Sequence, residues 1–149
     1  MSEVMGVGII GCGNISSAYL RLSKMFKGIE MRACADLNMD TARAQAETYG
    51  VRVTTEIEPA SGTILATKPD SVPTVARQAA EKGTERLLSI AAGVTLATLD
   101  DATGGLLPVV RAMPNTPALV GQGAAAICGN GAASLEDLAW AEEILGAVG

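Results

Sequence analysis

Gly11, Gly13 and Ser16 form the pattern Gly-x-Gly-x-x-small, with Cys12, Asn14 and Ile15 filling the other positions. The pattern directly follows the apolar run Met5–Ile10 (MGVGII). Gly11 permits a tight turn, Gly13 lets the backbone close on an anion, and Ser16 is small enough for a helix to pack closely. Such a turn suits recognition of a pyrophosphate by free N–H groups at the positive end of a helix. Asp36 stands 20 positions after Ser16 and ends a second apolar run. There a carboxylate can accept both hydroxyls of an adenosine ribose. A Gly-rich turn alone is a weak signal, but this turn, its strand and this acid together point to a dinucleotide. Asp36 repels a 2′-phosphate, and Asp36-Leu37-Asn38 offers no arginine to bind one. The pocket is therefore expected to prefer NAD, with NADP left open because Arg43 lies seven residues on, in the next helix.

Three further segments lie where strands end. Thr67-Lys68-Pro69-Asp70 follows the run Thr63–Thr67, whose Ala66 lies just before it. Lys68 there can bond a ribose or act as an acid; a solvated loop lysine before proline is the alternative. Ala91-Ala92-Gly93 supplies small residues against which a nicotinamide can lie, and Met113-Pro114-Asn115-Thr116-Pro117 is a rigid, polar loop. Cys12 sits beside the phosphate loop without a basic neighbour in sequence, which suits a packing residue better than a redox switch.

The absences are as useful as the motifs. The 149 residues contain no histidine, which removes Ser-His-Asp and Cys-His catalysis and the usual zinc sites. No catalytic or metal-ligating residue is assigned. Three cysteines without CxxC spacing (Cys12, Cys34 and Cys128) read as buried, reduced thiols in an intracellular, cytoplasmic setting. Aromatic residues make up 3% and the formal charge is −5, which excludes a stacking platform or a phosphate-backbone surface for nucleic acid. No apolar run is long enough to span a membrane, and no targeting segment precedes the first one.

The elements that must position these residues alternate. Strands are expected at Met5–Ile10, Met31–Ala35, Val51–Thr54, Thr63–Thr67, Arg86–Ala91, Pro108–Ala112 and Ala124–Cys128. Helices are expected at Asn14–Lys27, Met39–Tyr49, Val72–Lys82, Leu96–Ala102 and Leu135–Leu145, with Thr95 and Ser134 as caps and Gly28 and Gly50 as stops. This rhythm predicts one domain over residues 1–149: an α/β, Rossmann-type, doubly wound parallel sheet in three α/β/α layers. Leu138, Trp140, Ile144 and Leu145 on the last helix are expected to be core residues.

Two family resemblances add to this reading. VGIIGCGNISSAYL, ACADLN and TARAQAETYG, from about Val4 to Tyr49, are similar to the nucleotide-binding start of the glucose–fructose oxidoreductase/inositol dehydrogenase (Gfo/Idh/MocA) family. GVRVTT, ILATKPDSVP, LLSIAAGVTLATL, VVRAMPNTPALVGQGAAAI and LEDLAWAEEILGAVG, from about Gly50 onward, resemble pyrroline-5-carboxylate reductase, and RAMPNTPALVGQG is the most specific of them. Together they suggest a chimera with a junction near residues 46–55. The resemblance implies dinucleotide contacts from Gly11 to Ser16 and from Asp36, Ala66, Lys68, Pro69, Ala91, Ala92, Gly93 and Asn115, with Leu37 alongside. Such reductases use a serine–asparagine–arginine type where this chain has Asp36-Leu37-Asn38, a departure that favours NAD. The small helix usual between their third and fourth strands is expected to be missing or reduced at Thr54–Ser61. Their C-terminal substrate and dimerisation domain has no counterpart here, so the expectation is a dinucleotide-binding domain with no efficient catalysis of its own and weak self-association. An active pyrroline-5-carboxylate reductase, serving proline biosynthesis, and a folded scaffold without a ligand are the alternatives.

Overall fold

The computed structural model describes residues 4–149. The run Met5–Ile10 forms β1, and the residues between its end and the next strand make helix α1 (Asn14–Leu22) and a 3-10 turn at Ser23–Met25. Then follow β2 (Ile29–Ala35), α2 (Met39–Tyr49), β3 (Arg52–Val53) and β4 (Gly62–Leu65). A 3-10 turn at Pro69–Ser71 leads into α3 (Val72–Glu81), β5 (Leu87–Ser89), α4 (Leu96–Thr103) and β6 (Val109–Pro114). A 3-10 turn at Thr116–Val120, β7 (Ala125–Gly129) and α5 (Leu135–Gly146) complete the chain.

The seven strands lie in the order β3-β2-β1-β4-β5-β6-β7, so β1 is an interior strand, and the two halves of the chain's connections leave it in opposite directions. Alternate strand residues feed two cores. Val7 and Ile9, with Ile64, Leu88 and Val110, pack against α1, α2 and α5 on one face. Ile10, Leu65, Leu87 and Val109 pack against α3 and α4 on the other. The three-layer, doubly wound architecture expected from the alternation is what the structure shows.

Two details differ from a wholly parallel sheet covered on both faces. The edge strand β7 runs antiparallel to β6, pairing Val110 with Gly129 and Pro114 with Ala125. A parallel return needs a crossover of a dozen or more residues, usually helical. The loop between β6 and β7 holds only a 3-10 turn, which Gly121 reverses at φ +70°. The other detail is at residues 54–61, where no helix forms between β3 and β4. The face of β1 and β2 opposite α1 is left as an open cleft of about 380 Å³ floored by Gly6, Gly8 and Ala33. A bulge opposite Val7–Gly8 lets Arg32 lie flat over Gly6, while Gly8 has open space above it.

The last helix is fixed by a capping box, in which Ser134 and Asp137 bond each other's backbone N–H groups. Asp137 also holds Arg86 at 3.1 Å, and that guanidinium lies 5.8 Å from the Trp140 ring centre. Trp140 itself crosses the Gly62 backbone so closely that a Cβ there would meet its ring at 2.6 Å. Trp140, Ile144 and Leu145 are buried, as their spacing predicted, whereas Leu138 is only partly buried against the margin of the same core. Cys128 is exposed, against the expectation of a buried thiol. It points away from α5 on an edge strand whose neighbour Ile127 takes the inward position.

Candidate functional site

At the carboxyl end of β1 the chain turns at Gly11, whose φ of +100° suits glycine alone. A Cβ at this position would stand 2.4 Å from the Ala66 carbonyl oxygen, so the turn and the end of β4 approach as closely as backbones can. Gly13 follows as the N-cap of α1, with no side-chain cap and nothing within 4 Å of the place a Cβ would take. The buried Ser16 hydroxyl donates to Gly13 O at 2.6 Å, and Ser17 likewise to Asn14 O. Both hydroxyls therefore bond carbonyls, and α1 has no acidic residue in its first turn to compete for its N–H groups. The geometry is that of an open cradle at a helix N-terminus, a shape suited to an anion.

Asp36 stands at the end of the neighbouring β2, with its carboxylate against that cradle. Oδ2 accepts from Cys12 N–H at 2.7 Å and Oδ1 accepts from Asn38 N–H at 2.8 Å. Asn38 in turn caps α2 by accepting from the N–H groups of Asp40 and Thr41. Leu37, between them, is 99% exposed and free to lie against a flat ring. The Cys12 thiol is buried and pushed up to about 12, first by burial and next by the neighbouring Cys34 and by Asp36. It stays protonated at neutral pH, which suits the packing role and excludes a reactive thiolate.

The other sequence-selected residues line the same edge of the sheet. Ala66 and Lys68 follow β4; Lys68 is exposed and forms no ion pair among the described residues, and Pro69 opens the next turn. Ala91, Ala92 and Gly93 follow β5, with Ala91 buried and the other two open. Arg111 of β6 donates to Val94 O and so anchors that segment. Asn115 follows β6, where its Oδ1 accepts from Ala124 N–H at 2.8 Å, closing the β6–β7 loop, while its Nδ2 has no partner among the described residues. Three features carry no mark in sequence. Arg21 of α1 donates to Leu119 O at 2.6 Å and ties that loop to the phosphate-loop helix. Thr67 Oγ1, just after β4, is buried without a hydrogen-bond partner among the described residues. The Cys12–Asp36 bond is the third. No cluster of His, Cys, Asp or Glu suited to a metal occurs among the described residues.

A family model described as NADP oxidoreductase, coenzyme F420-dependent, matches residues 6–93, from β1 past β5. The chain belongs to that family. Among curated proteins, pyrroline-5-carboxylate reductase of Mycobacterium leprae is 36% identical over 134 residues, which are 83% of this chain and 46% of the relative. The structure of a pyrroline-5-carboxylate reductase from Coxiella burnetii superposes with a TM-score of 0.86 at 26% identity, over 98% of this chain and 57% of that one. The Plasmodium falciparum enzyme with NADP bound superposes at 0.81 with 20% identity, over 100% of this chain and 57% of that one, a likeness of fold. The chain spans about half the length of the curated relatives it matches.

These matches revise the two-parent reading. Reductases of one kind cover up to 99% of the chain, the first 49 residues included, so no second parent is needed. A structure described as a myo-inositol dehydrogenase from Sinorhizobium meliloti superposes at only 0.56 with 21% identity over 70% of the chain. The likeness of the first segment to that family is one of shared fold, and the chimera has no support.

Proposed function

We propose that these residues form the dinucleotide-binding unit of an oxidoreductase related to pyrroline-5-carboxylate reductase, with NAD(H) preferred. The observation that carries this reading is the Asp36 carboxylate set against the Gly11–Ser16 cradle. The pyrophosphate takes the N–H groups of α1, where the empty space above Gly13 fits it. Asp36 faces the adenosine ribose and repels a 2′-phosphate, which is why NAD(H) is favoured. Thr67 Oγ1 supplies a buried polar atom that a ligand can satisfy. Lys68, Pro69, Ala91, Ala92, Gly93 and the free amide of Asn115 then line the path toward the nicotinamide end.

The bound cofactor supplies a hydride, and the names of the relatives suggest an imine carbon as its destination. The chain's own residues orient that cofactor; holding an imine about 3–3.5 Å from it needs further groups. The chain is accordingly expected to bind dinucleotide. A ligand that binds the folded state raises its stability by RT ln(1 + [L]/Kd). Melting with saturating NAD, NADP and ADP-ribose tests the reading: NAD and ADP-ribose should both raise Tm, NADP less. Unchanged melting with all three would count against it.

A further inference from the structure

Asp36 has partners in this structure before any ligand is considered. Both carboxylate oxygens are already engaged by backbone amides, one from the phosphate loop and one from its own turn. Two more bonds cross at the same place. Gly11 N–H donates to Ala35 O at 2.8 Å, and the Cys12 thiol donates to that carbonyl at 3.5 Å. The Gly11–Cys12 turn is therefore stitched to the end of β2 and, through Asn38, to the N-terminus of α2. On its other side it rests against the Ala66 carbonyl, so it has no room to drift toward β4.

We propose that Asp36 is the positioning residue of the phosphate loop, so that removing it weakens NADH and NADPH together instead of exchanging one preference for the other. Each carboxylate oxygen accepts about two hydrogen bonds, so one acceptor site per oxygen remains for the ribose hydroxyls. The two amide bonds are charge-assisted, and they hold the carboxylate so that it cannot rotate away from an incoming 2′-phosphate. Repulsion of NADP is thus built into the same contacts that set the loop. Losing them lets the amides that meet the pyrophosphate move, and such sites tolerate little displacement. The affinity side of this proposal rests on the dinucleotide reading; the clamp itself does not.

Backbone amide hydrogen exchange in the ligand-free protein tests the clamp, and fluorescence titration with NADH and NADPH tests its consequence. In Asp36→Ala the amides of Cys12 and Asn38 should exchange about tenfold faster or more, as expected for a lost charge-assisted bond. The core amides of Ile9 and Leu88 should not change. Asp36→Asn keeps one acceptor and should restore protection at one of the two amides, and it serves if the alanine variant folds poorly. Affinity for NADH should fall about tenfold in Asp36→Ala (the same lost bond, passed on to the loop), and affinity for NADPH should fall too, by less, because the repulsion of its 2′-phosphate leaves with the carboxylate. Unchanged exchange at Cys12 and Asn38, or NADPH bound more tightly by Asp36→Ala than by the original chain, overturns the proposal. An original chain that binds neither nucleotide refutes the dinucleotide reading, and the exchange rates still decide the clamp.

Discussion

Replacing Gly11 by alanine puts a methyl 2.4 Å from the Ala66 carbonyl oxygen, 2.5 Å from its carbon and 2.8 Å from Thr67 N. Ordinary contact with that oxygen needs an ångström or more of extra room, and both neighbours are backbone, so β1 and β4 must separate at their ends. Such overpacking costs about 1–3 kcal/mol, and a φ of +100° adds about 1–2 kcal/mol for a residue with a Cβ. The total, about 2–5 kcal/mol, is a large share of the roughly 5–15 kcal/mol typical of a domain. Gly8→Ala is the matched control on the same strand. Its Cβ would find nothing nearer than 3.9 Å, above the open cleft. Removing the backbone entropy of a strand glycine should then stabilise by about 0.5 kcal/mol. Urea unfolding followed by the single, buried Trp140 reads both variants. With a slope near 2 kcal/mol per molar, Gly11→Ala should lower the midpoint by about 2 M and Gly8→Ala raise it by about 0.3 M. A Gly11→Ala midpoint within about 0.5 M of the original would refute the close approach (the same slope applied).

Thiol titration of the native protein should find one fast group, the exposed Cys128, and two that react only on unfolding; three fast groups would contradict the buried, protonated state of Cys12 and Cys34. Stability should fall as pH rises from 9 toward about 12. Cys12 and Tyr19 keep their protons to about 12 when folded but begin to lose them near 9 and 10 when unfolded, so the unfolded state binds fewer protons in that window. A flat stability profile across that range would show that neither group is shielded. Asn130→Ala should cost about 2–3 kcal/mol in urea unfolding (three bonds at about 1 kcal/mol each). Its side chain accepts from Val109 N–H and donates to Asp100 and to Leu107 O, and a loss below about 1 kcal/mol would mean those bonds are not all formed.

How much of this was legible in the sequence depended on whether a feature leaves a mark in residue type. Helix α2 was, because Asn38 is a capping residue and Gly50 takes a left-handed φ of +70°, and both are written in the chain. The glycine turn, the acid and the interior place of β1 were legible for the same reason. Helix α1 reads as running to Lys27 but ends at Leu22. Met25 and Phe26 keep helical spacing, yet the backbone has tightened into a 3-10 turn that buries Phe26 and leaves Met25 exposed. The direction of β7 was not legible, since an apolar run looks alike in either sense and only the short loop before it decides. The exposure of Cys128 follows from that edge position. The bonds of Asp36 to two backbone amides were invisible because every residue but proline has such an amide.

Fluorescence titration of the purified chain with NADH and with NADPH bears most directly on the central claim, that Asp36 and the Gly11–Ser16 cradle make an NAD-selective dinucleotide site. Saturable nicotinamide emission at one site per chain, with NADH bound several-fold more tightly than NADPH, is the predicted result. Equal or tighter binding of NADPH, or no protein-dependent emission with either nucleotide, would contradict it.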